Sequence, residues 1–296
     1  MPELPDLTVY VDAINERLED GELEKMHIAS PFLLRTVEPK VEDLEGRKFI
    51  RCSRIAKQLV FELEDEYFFV IHLMISGRLQ WADEFKMPPK RNGLAAFRFN
   101  KGTITFTEAS KKKRASLRLV QGRANLEELN PGGLEVLGVE LSVFADRLAT
   151  TNHTLKRALT DQRVFAGIGN AYSDEILLRA KLSPFKQACK LKEAEVEALY
   201  IACQEVLSEW VDLLREKAKG KFLTKVTAFH EEMAAHGKYK APCLVCGAPI
   251  QRIVYAENEA NYCAGCQTDG RLLADRSLSK LLKDNWPKRL EDLENF

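Results

Sequence analysis

The 296-residue sequence has no run of about 18 consecutive apolar residues, so it offers no helix able to span a bilayer and no membrane partner is expected. Its opening residues, Met1-Pro2-Glu3-Leu4-Pro5-Asp6, have neither the basic cluster nor the apolar stretch of a secretory leader, so an intracellular protein is expected. There is no surplus of either charge, because 44 Lys and Arg balance 44 Asp and Glu. A nucleic-acid binder commonly carries excess base, so the balance taken alone argues against one. No internal repeat is visible. What is present is a 45% hydrophobic fraction, enough for a packed interior and too much for global disorder. The length suits two domains.

Charge is distributed unevenly, and that matters more than its sum. Bases gather at 111–114 and 217–225, acids at 62–66, 127–128 and the C-terminal tail, so a locally basic face fits a neutral protein. Leu7, Val11, Ile14 and Leu18 fall at helical spacing and predict a helix over 6–19. Short β-type runs follow at 49–55, 58–63, 67–73, 94–99, 103–107 and 116–120, separated by turn signals such as Asn100-Lys101-Gly102. Asn130-Pro131-Gly132-Gly133 is the strongest punctuation and reads as the linker. Helices are predicted beyond it, at 141–149, 153–159, 171–180 and 193–216. The expected class is α+β, with an antiparallel β-sandwich or barrel and N-terminal helix over 1–130, a helical domain over 134–240, a cysteine module over 241–268 and a charged tail over 269–296.

Of seven cysteines, Cys52, Cys189 and Cys203 read as small buried residues. The other four form two CxxC pairs, Cys243/Cys246 and Cys263/Cys266, with sixteen residues between them. Each pair can give two thiolates to one tetrahedral ion, and the spacer fits a β-hairpin. A pair of disulfides or redox thiols is the alternative, disfavoured in an intracellular chain without a thioredoxin-like pattern. Four thiolates leave no open coordination position, so one structural Zn2+ is expected, which says little about function.

Residues 165–170, Phe-Ala-Gly-Ile-Gly-Asn, join two helices through a glycine turn. Gly167 and Gly169 would admit a ligand close to the backbone, and Asn170 is expected as the N-cap of the next helix, whose free N–H groups suit a phosphate. Lys156, one helix earlier, is a second candidate phosphate contact. The segment alone reads equally well as an ordinary capped helix after a tight turn.

Pro2 introduces a chemical option. Removal of Met1 would leave a free secondary amine that can attack the anomeric carbon of a deoxyribose, giving a cationic iminium. The iminium acidifies the C2′ proton and allows β-elimination of the 3′ phosphate, with the neighbouring Glu3 as proton donor or shuttle. A Met-Pro start by itself is also simply common.

Together the Pro2-Glu3-Leu4-Pro5 start, the Ala56-Lys57-Gln58-Leu59 strand motif, the Gly-Ile-Gly-Asn turn and the cysteine module ending Cys266-Gln267 resemble the formamidopyrimidine-DNA glycosylase/endonuclease VIII family. The resemblance covers residues 1 to about 267 and makes the chain an atypical bacterial-type member. It implies a bifunctional glycosylase and abasic-site lyase of base excision repair, acting as a cytoplasmic, nucleoid-associated monomer. It also implies a β-sandwich joined to a helix–two-turn–helix domain with a four-cysteine zinc finger, and DNA bound between the domains. Pro2 would be the Schiff-base nucleophile, Glu3 its acid/base partner, and Lys57 and His72 contacts to phosphates beside the lesion. Lys156, Asn170 and Arg91 would be further DNA contacts. A non-catalytic protein that binds damaged DNA on the same fold is the alternative, and a zinc-ribbon RNA-handling protein a third that leaves Pro2 unexplained.

The departures concern lesion reading. The family's arginine- and phenylalanine-bearing gap-filling loop corresponds to Glu108-Ala109-Ser110-Lys111-Lys112-Lys113-Arg114, basic but without an aromatic ring. The usual methionine wedge corresponds to Ile75, and an arginine of the zinc hairpin to Asn258. Asp6 replaces a glutamate, and residues 217–226 do not resemble the loop that caps oxidised guanine. 8-Oxoguanine is therefore not the expected preferred lesion.

Overall fold

The computed structural model describes residues 1–224, 230–255, 258–274 and 287–295. They form two compact units, Met1–Pro131 with Trp210–Ala228 and Gly132–Glu209 with Phe229–Phe296. One break falls in the Asn130-Pro131-Gly132-Gly133 linker. The other cuts the long helix Glu193–Ala218, so the stretch 134–240 is shared between the units.

In the first unit, helix α1 (Leu4–Leu18) starts two residues earlier than its apolar spacing indicates, because Glu3 is the N-cap. Leu7, Tyr10, Ile14 and Leu18 make its buried stripe. Eight strands follow: β1 (Glu22–Ile28), β2 (Arg47–Ile55), β3 (Gln58–Leu63), β4 (Tyr67–His72), β5 (Gly77–Ala82), β6 (Gly93–Phe99), β7 (Gly102–Glu108) and β8 (Ser116–Gln121). Their order is β5-β7-β6-β1-β2-β3-β4-β8, with every neighbouring pair antiparallel. The β1–β2 pairing lasts only two residue pairs, Glu22 with Lys48 and Leu23 with Arg47. The sheet therefore parts there into two four-stranded layers, the expected sandwich. Phe61 and Phe69 of one layer stack at 4.2 Å, and Phe97 of the other stacks on Phe69 at 4.9 Å. Burying each ring stabilises the fold by about 1.5–3 kcal/mol.

The short helix α2 (Arg123–Glu127) ends the first segment of the first unit. In the second unit α3 (Leu141–Ala149), α4 (Leu155–Thr160), α5 (Asn170–Arg179) and the first part of α6 (Glu193–Ala218) precede a hairpin. Its strands are β9 (Ile250–Tyr255) and β10 (Asn258–Cys263). The tail is less bare than its charge implies. Leu272, Leu273, Leu290 and Leu293 pack with Ile253 and Tyr262 of the hairpin, and the Leu273 N–H donates to the Tyr262 hydroxyl at 2.8 Å. Residues 275–286 of the tail lie outside the described residues. Cys52 and Cys203 are buried, but Cys189 is exposed, because Ala188 takes the inward position of its short turn.

Candidate active site and nucleic-acid interface

The N-terminal segment is folded inward. Pro2 and Glu3 are buried, and the Glu3 N–H donates to the Asp6 carboxylate at 2.8 Å, which closes the first turn of α1. The shorter carboxylate at position 6 thus has a capping role. Burial holds the terminal amine of Met1 below its ordinary pKa of 8.0. The carboxylates of Glu3 and Asp6 oppose that shift, and Lys57 and Arg78 reinforce it. All four charges therefore act on the chain start.

Lys57 reaches this place through a tight hairpin. Ile55 pairs with Gln58, so Ala56-Lys57 is a two-residue loop, and Ala56 takes a φ of 49° that L-residues rarely adopt. Lys57 is only 6% exposed. His72, at the end of β4, pairs with Gln58 on one side and Ser116 on the other. Its Nδ1 accepts the Met74 N–H at 3.1 Å, which places the ring proton on Nε2 as a donor. Burial, then the charges of Lys57 and Arg118, bring the imidazole from 6.5 down to about 4.

Ile75 lies in the β4–β5 connection and is 58% exposed, unusual for an isoleucine. Arg78 donates to the carbonyls of Ile75 at 3.2 Å and Gly77 at 2.6 Å, tying this loop to a charge that faces the chain start. Only glycine fits at position 77, where a Cβ would stand 2.2 Å from the Leu73 carbonyl oxygen. Lys111 and Lys112 are exposed in the following lysine loop. Buried Glu108 staples that loop by accepting the N–H groups of Arg114 and Ala115 at 3.1 and 3.2 Å. Its own N–H donates to Asn92 at 2.9 Å, beside exposed Arg91. The roles of Asp6, Arg78 and Glu108 were not readable as motifs, since each is bonded to backbone groups that any residue would offer.

In the second unit Gln162 braces both turns ahead of α5. Its amide donates to the Thr160 and Ile168 carbonyls at 3.0 and 2.8 Å, and its oxygen accepts the Gly167 N–H at 2.8 Å. Gly167 needs its positive φ of 82°. Gly169, not Asn170, is the N-cap; Asn170 is the first helical residue and donates through Nδ2 to Asn258 Oδ1 at 2.8 Å. Lys156 departs most from expectation. It is 1% exposed, and its ammonium binds Asp174 at 2.5 Å and the Asn170 carbonyl at 2.6 Å. It is packed inward, not presented to a ligand, because the acid one turn into α5 takes it.

The four sulfurs of Cys243, Cys246, Cys263 and Cys266 lie within 4.8 Å of one another, and none is in a disulfide. N–H groups of Val245 and Cys266 point at Cys243 and Cys263 sulfurs at 3.5 and 3.4 Å, as suits thiolates. Tetrahedral zinc with its usual Zn–S bonds sets sulfurs about 3.8 Å apart, so the donor set fits and the cluster can hold a metal ion.

The formamidopyrimidine-DNA glycosylase N-terminal domain matches residues 1–115, and the H2TH domain of the same enzymes matches residues 136–220. The formamidopyrimidine-DNA glycosylase of Desulfitobacterium hafniense is 31% identical over 279 residues, covering 90% of this chain and all of the relative. The chain belongs to the formamidopyrimidine-DNA glycosylase family. An uncharacterised formamidopyrimidine-DNA glycosylase-like protein of Mycobacterium tuberculosis is 41% identical over 151 residues, 51% of this chain and 94% of that protein. Among solved structures, Lactococcus lactis FPG (MutM) in complex with Fapy-dG-containing DNA is similar with a TM-score of 0.79. The identity is 25%, over 90% of this chain and all of that one. The chain is thus a DNA-glycosylase-family member of α+β fold, and among the described residues no helix is long and apolar enough to cross a membrane.

Proposed function

We propose that the protein is a bifunctional DNA glycosylase and abasic-site lyase that uses the amine of Pro2, freed by removal of Met1, as its nucleophile. The observation that carries this reading is the inward-folded chain start, with Pro2 and Glu3 buried, Asp6 bonded to the Glu3 N–H, and the charges of Lys57 and Arg78 acting on the terminal amine. Burial lowers the pKa of an amine at the chain start, with Lys57 and Arg78 adding to the effect and Glu3 and Asp6 opposing it, and the deprotonated amine has the lone pair that attack requires. The Pro2 nitrogen forms a bond to C1′ as the glycosidic bond breaks, and the base departs with a proton. Glu3 protonates the opening sugar oxygen. Loss of the amine proton leaves an iminium, loss of the C2′ proton expels the 3′ phosphate, and water releases the sugar to regenerate Pro2. Lys57 and the Nε2–H of His72 are donors for the phosphates flanking the lesion, and exposed Arg91, Lys111 and Lys112 add counter-charge.

In the second unit Asn170 and Asn258 form the polar surface for the DNA backbone, with Lys156 acting from behind it. The four cysteines hold one structural zinc, which supplies folding energy to the hairpin and no reactive group. Ile75 enters the gap left by the everted base, without an aromatic partner from the 108–114 loop. Weaker wedging favours lesions that already pair poorly, so ring-opened purines or oxidised pyrimidines are better substrates than 8-oxoguanine opposite cytosine. The test is excision from duplexes carrying each lesion, with Glu3→Gln alongside wild type. Faster removal of 8-oxoguanine than of the other lesions contradicts the preference, and absence of all excision contradicts the activity.

A further inference from the structure

We propose that Asp174 is a positioning hub that, through Lys156, His236 and Asn261, sets the Asn170–Asn258 pair in the geometry that receives the DNA backbone. The inference rests on the reading of that pair as a DNA contact.

Asp174 is fully buried on the second turn of α5, and both of its oxygens are used. Oδ1 accepts from Lys156 at 2.5 Å, and the same ammonium donates to the Asn170 carbonyl at 2.6 Å. Oδ2 accepts from His236 Nδ1 at 2.8 Å and from Asn261 Nδ2 at 3.0 Å. One carboxylate therefore joins α4, the first turn of α5, the segment before the first CxxC pair and strand β10. Glu175, the next residue, fixes that segment further by accepting the N–H groups of Ala234, Ala235 and His236 at 2.8–2.9 Å.

Asn261 reveals what the arrangement is for. Its Nδ2 also donates to Glu259 at 3.1 Å, but its Oδ1 is buried without a hydrogen-bond partner among the described residues. A buried amide oxygen left unpaired is costly, and an apolar residue would suit stability better. What the amide contributes is orientation of β10 against α5. Asn258, whose oxygen accepts from Asn170, stands three residues earlier on the same short strand. A shift of β10 along α5 would break that surface pair, and the buried carboxylate prevents it. Lys156 thus serves the clamp by holding the Asn170 backbone, which explains a lysine in a site that gives it no access to solvent.

The test compares wild type with Asn261→Ala, Asn170→Ala and the double variant. Affinity is read by anisotropy on a duplex with an uncleavable abasic-site analogue, and zinc content and Tm are measured in parallel. Asn261→Ala is expected to weaken binding by about tenfold with zinc content and Tm retained, and to have almost no further effect once Asn170 is alanine. Cleavage of an abasic site at saturating enzyme should be unchanged. In DNA-free protein, the Asn170 side-chain amide resonance should move in Asn261→Ala. Asp174→Asn should weaken binding at least as much; if it does not fold, the Asn261 cycle alone decides. Additive losses in the cycle, or an unmoved Asn170 resonance, overturn the hub. Wild type that fails to bind the duplex overturns the DNA-contact reading instead, and the resonance then decides the positioning role by itself.

Discussion

The side chain of Asn170, at the start of α5, donates a 2.8 Å hydrogen bond to the side chain of Asn258, at the start of β10. Two residues 88 positions apart, one from the glycine turn and one from the cysteine hairpin, thereby form a single exposed polar surface. Both amides are neutral. Any phosphate they receive is bound by dipoles alone, where the resembled family offers a guanidinium at the hairpin position.

Restoring a charge there should be visible in the salt response. Asn258→Arg is expected to tighten duplex binding and to steepen the plot of log affinity against log salt by about one unit. An unchanged slope would mean that position 258 does not face the backbone.

The zinc site gives a second expectation. Purified protein should carry one zinc per chain, and Cys263→Ser should lose it together with the hairpin that presents Asn258. DNA affinity should then fall by a factor of about 100 or more, as several backbone contacts are lost together. Protein that folds and binds normally with less than about half an equivalent of zinc would contradict a structural site.

His72 supplies a pH dependence with a defined sign. Its pKa falls from 6.5 to about 4, chiefly through burial, so the folded protein resists the proton that the unfolded chain accepts. The stability contributed by the neutral ring is complete above pH 6.5 and is lost as pH falls through about 4. NMR titration should place the imidazole midpoint near 4, and His72→Gln should flatten the decline of Tm across this window. A midpoint near 6.5 would remove the case for a neutral Nε2–H donor.

Ile75 should matter in proportion to how much pairing must be broken. Ile75→Gly is expected to slow excision from a fully paired duplex by about tenfold and to have little effect when the lesion sits in a mismatch or bubble. Equal losses on both substrates would assign Ile75 to packing, not to insertion.

Much of this was legible because it rests on local chemistry. Alternating β-type runs, the glycine linker and the two CxxC pairs report backbone preference and ligand geometry over a few residues. Strand β1 was missed because a bulge between Leu23 and Lys25 breaks its alternation. Strand β5, Gly77–Ala82, was missed because it has only two apolar side chains larger than alanine, Leu79 and Trp81. The four cysteines come together as their spacing indicates, and Pro2 and Glu3 are buried at the chain start. Lys156 was not legible in this way, since its burial depends on Asp174, whose meaning appears only once α4, α5 and β10 are packed together. The folded part of the tail was hidden for a similar reason. Leu272, Leu273, Leu290 and Leu293 are scattered among charges and become a cluster only against Ile253 and Tyr262.

The central claim is that Pro2 forms a covalent bond to the sugar. The most direct measurement is to incubate the mature protein with DNA containing one abasic site, reduce with borohydride, and map the adduct by peptide mass. A cross-link on an N-terminal Pro2 peptide, absent from Pro2→Gly and accompanied by strand cleavage in wild type, is the predicted result. No adduct, from protein whose mass shows Met1 removed, would contradict it and leave a DNA-binding protein without lyase chemistry.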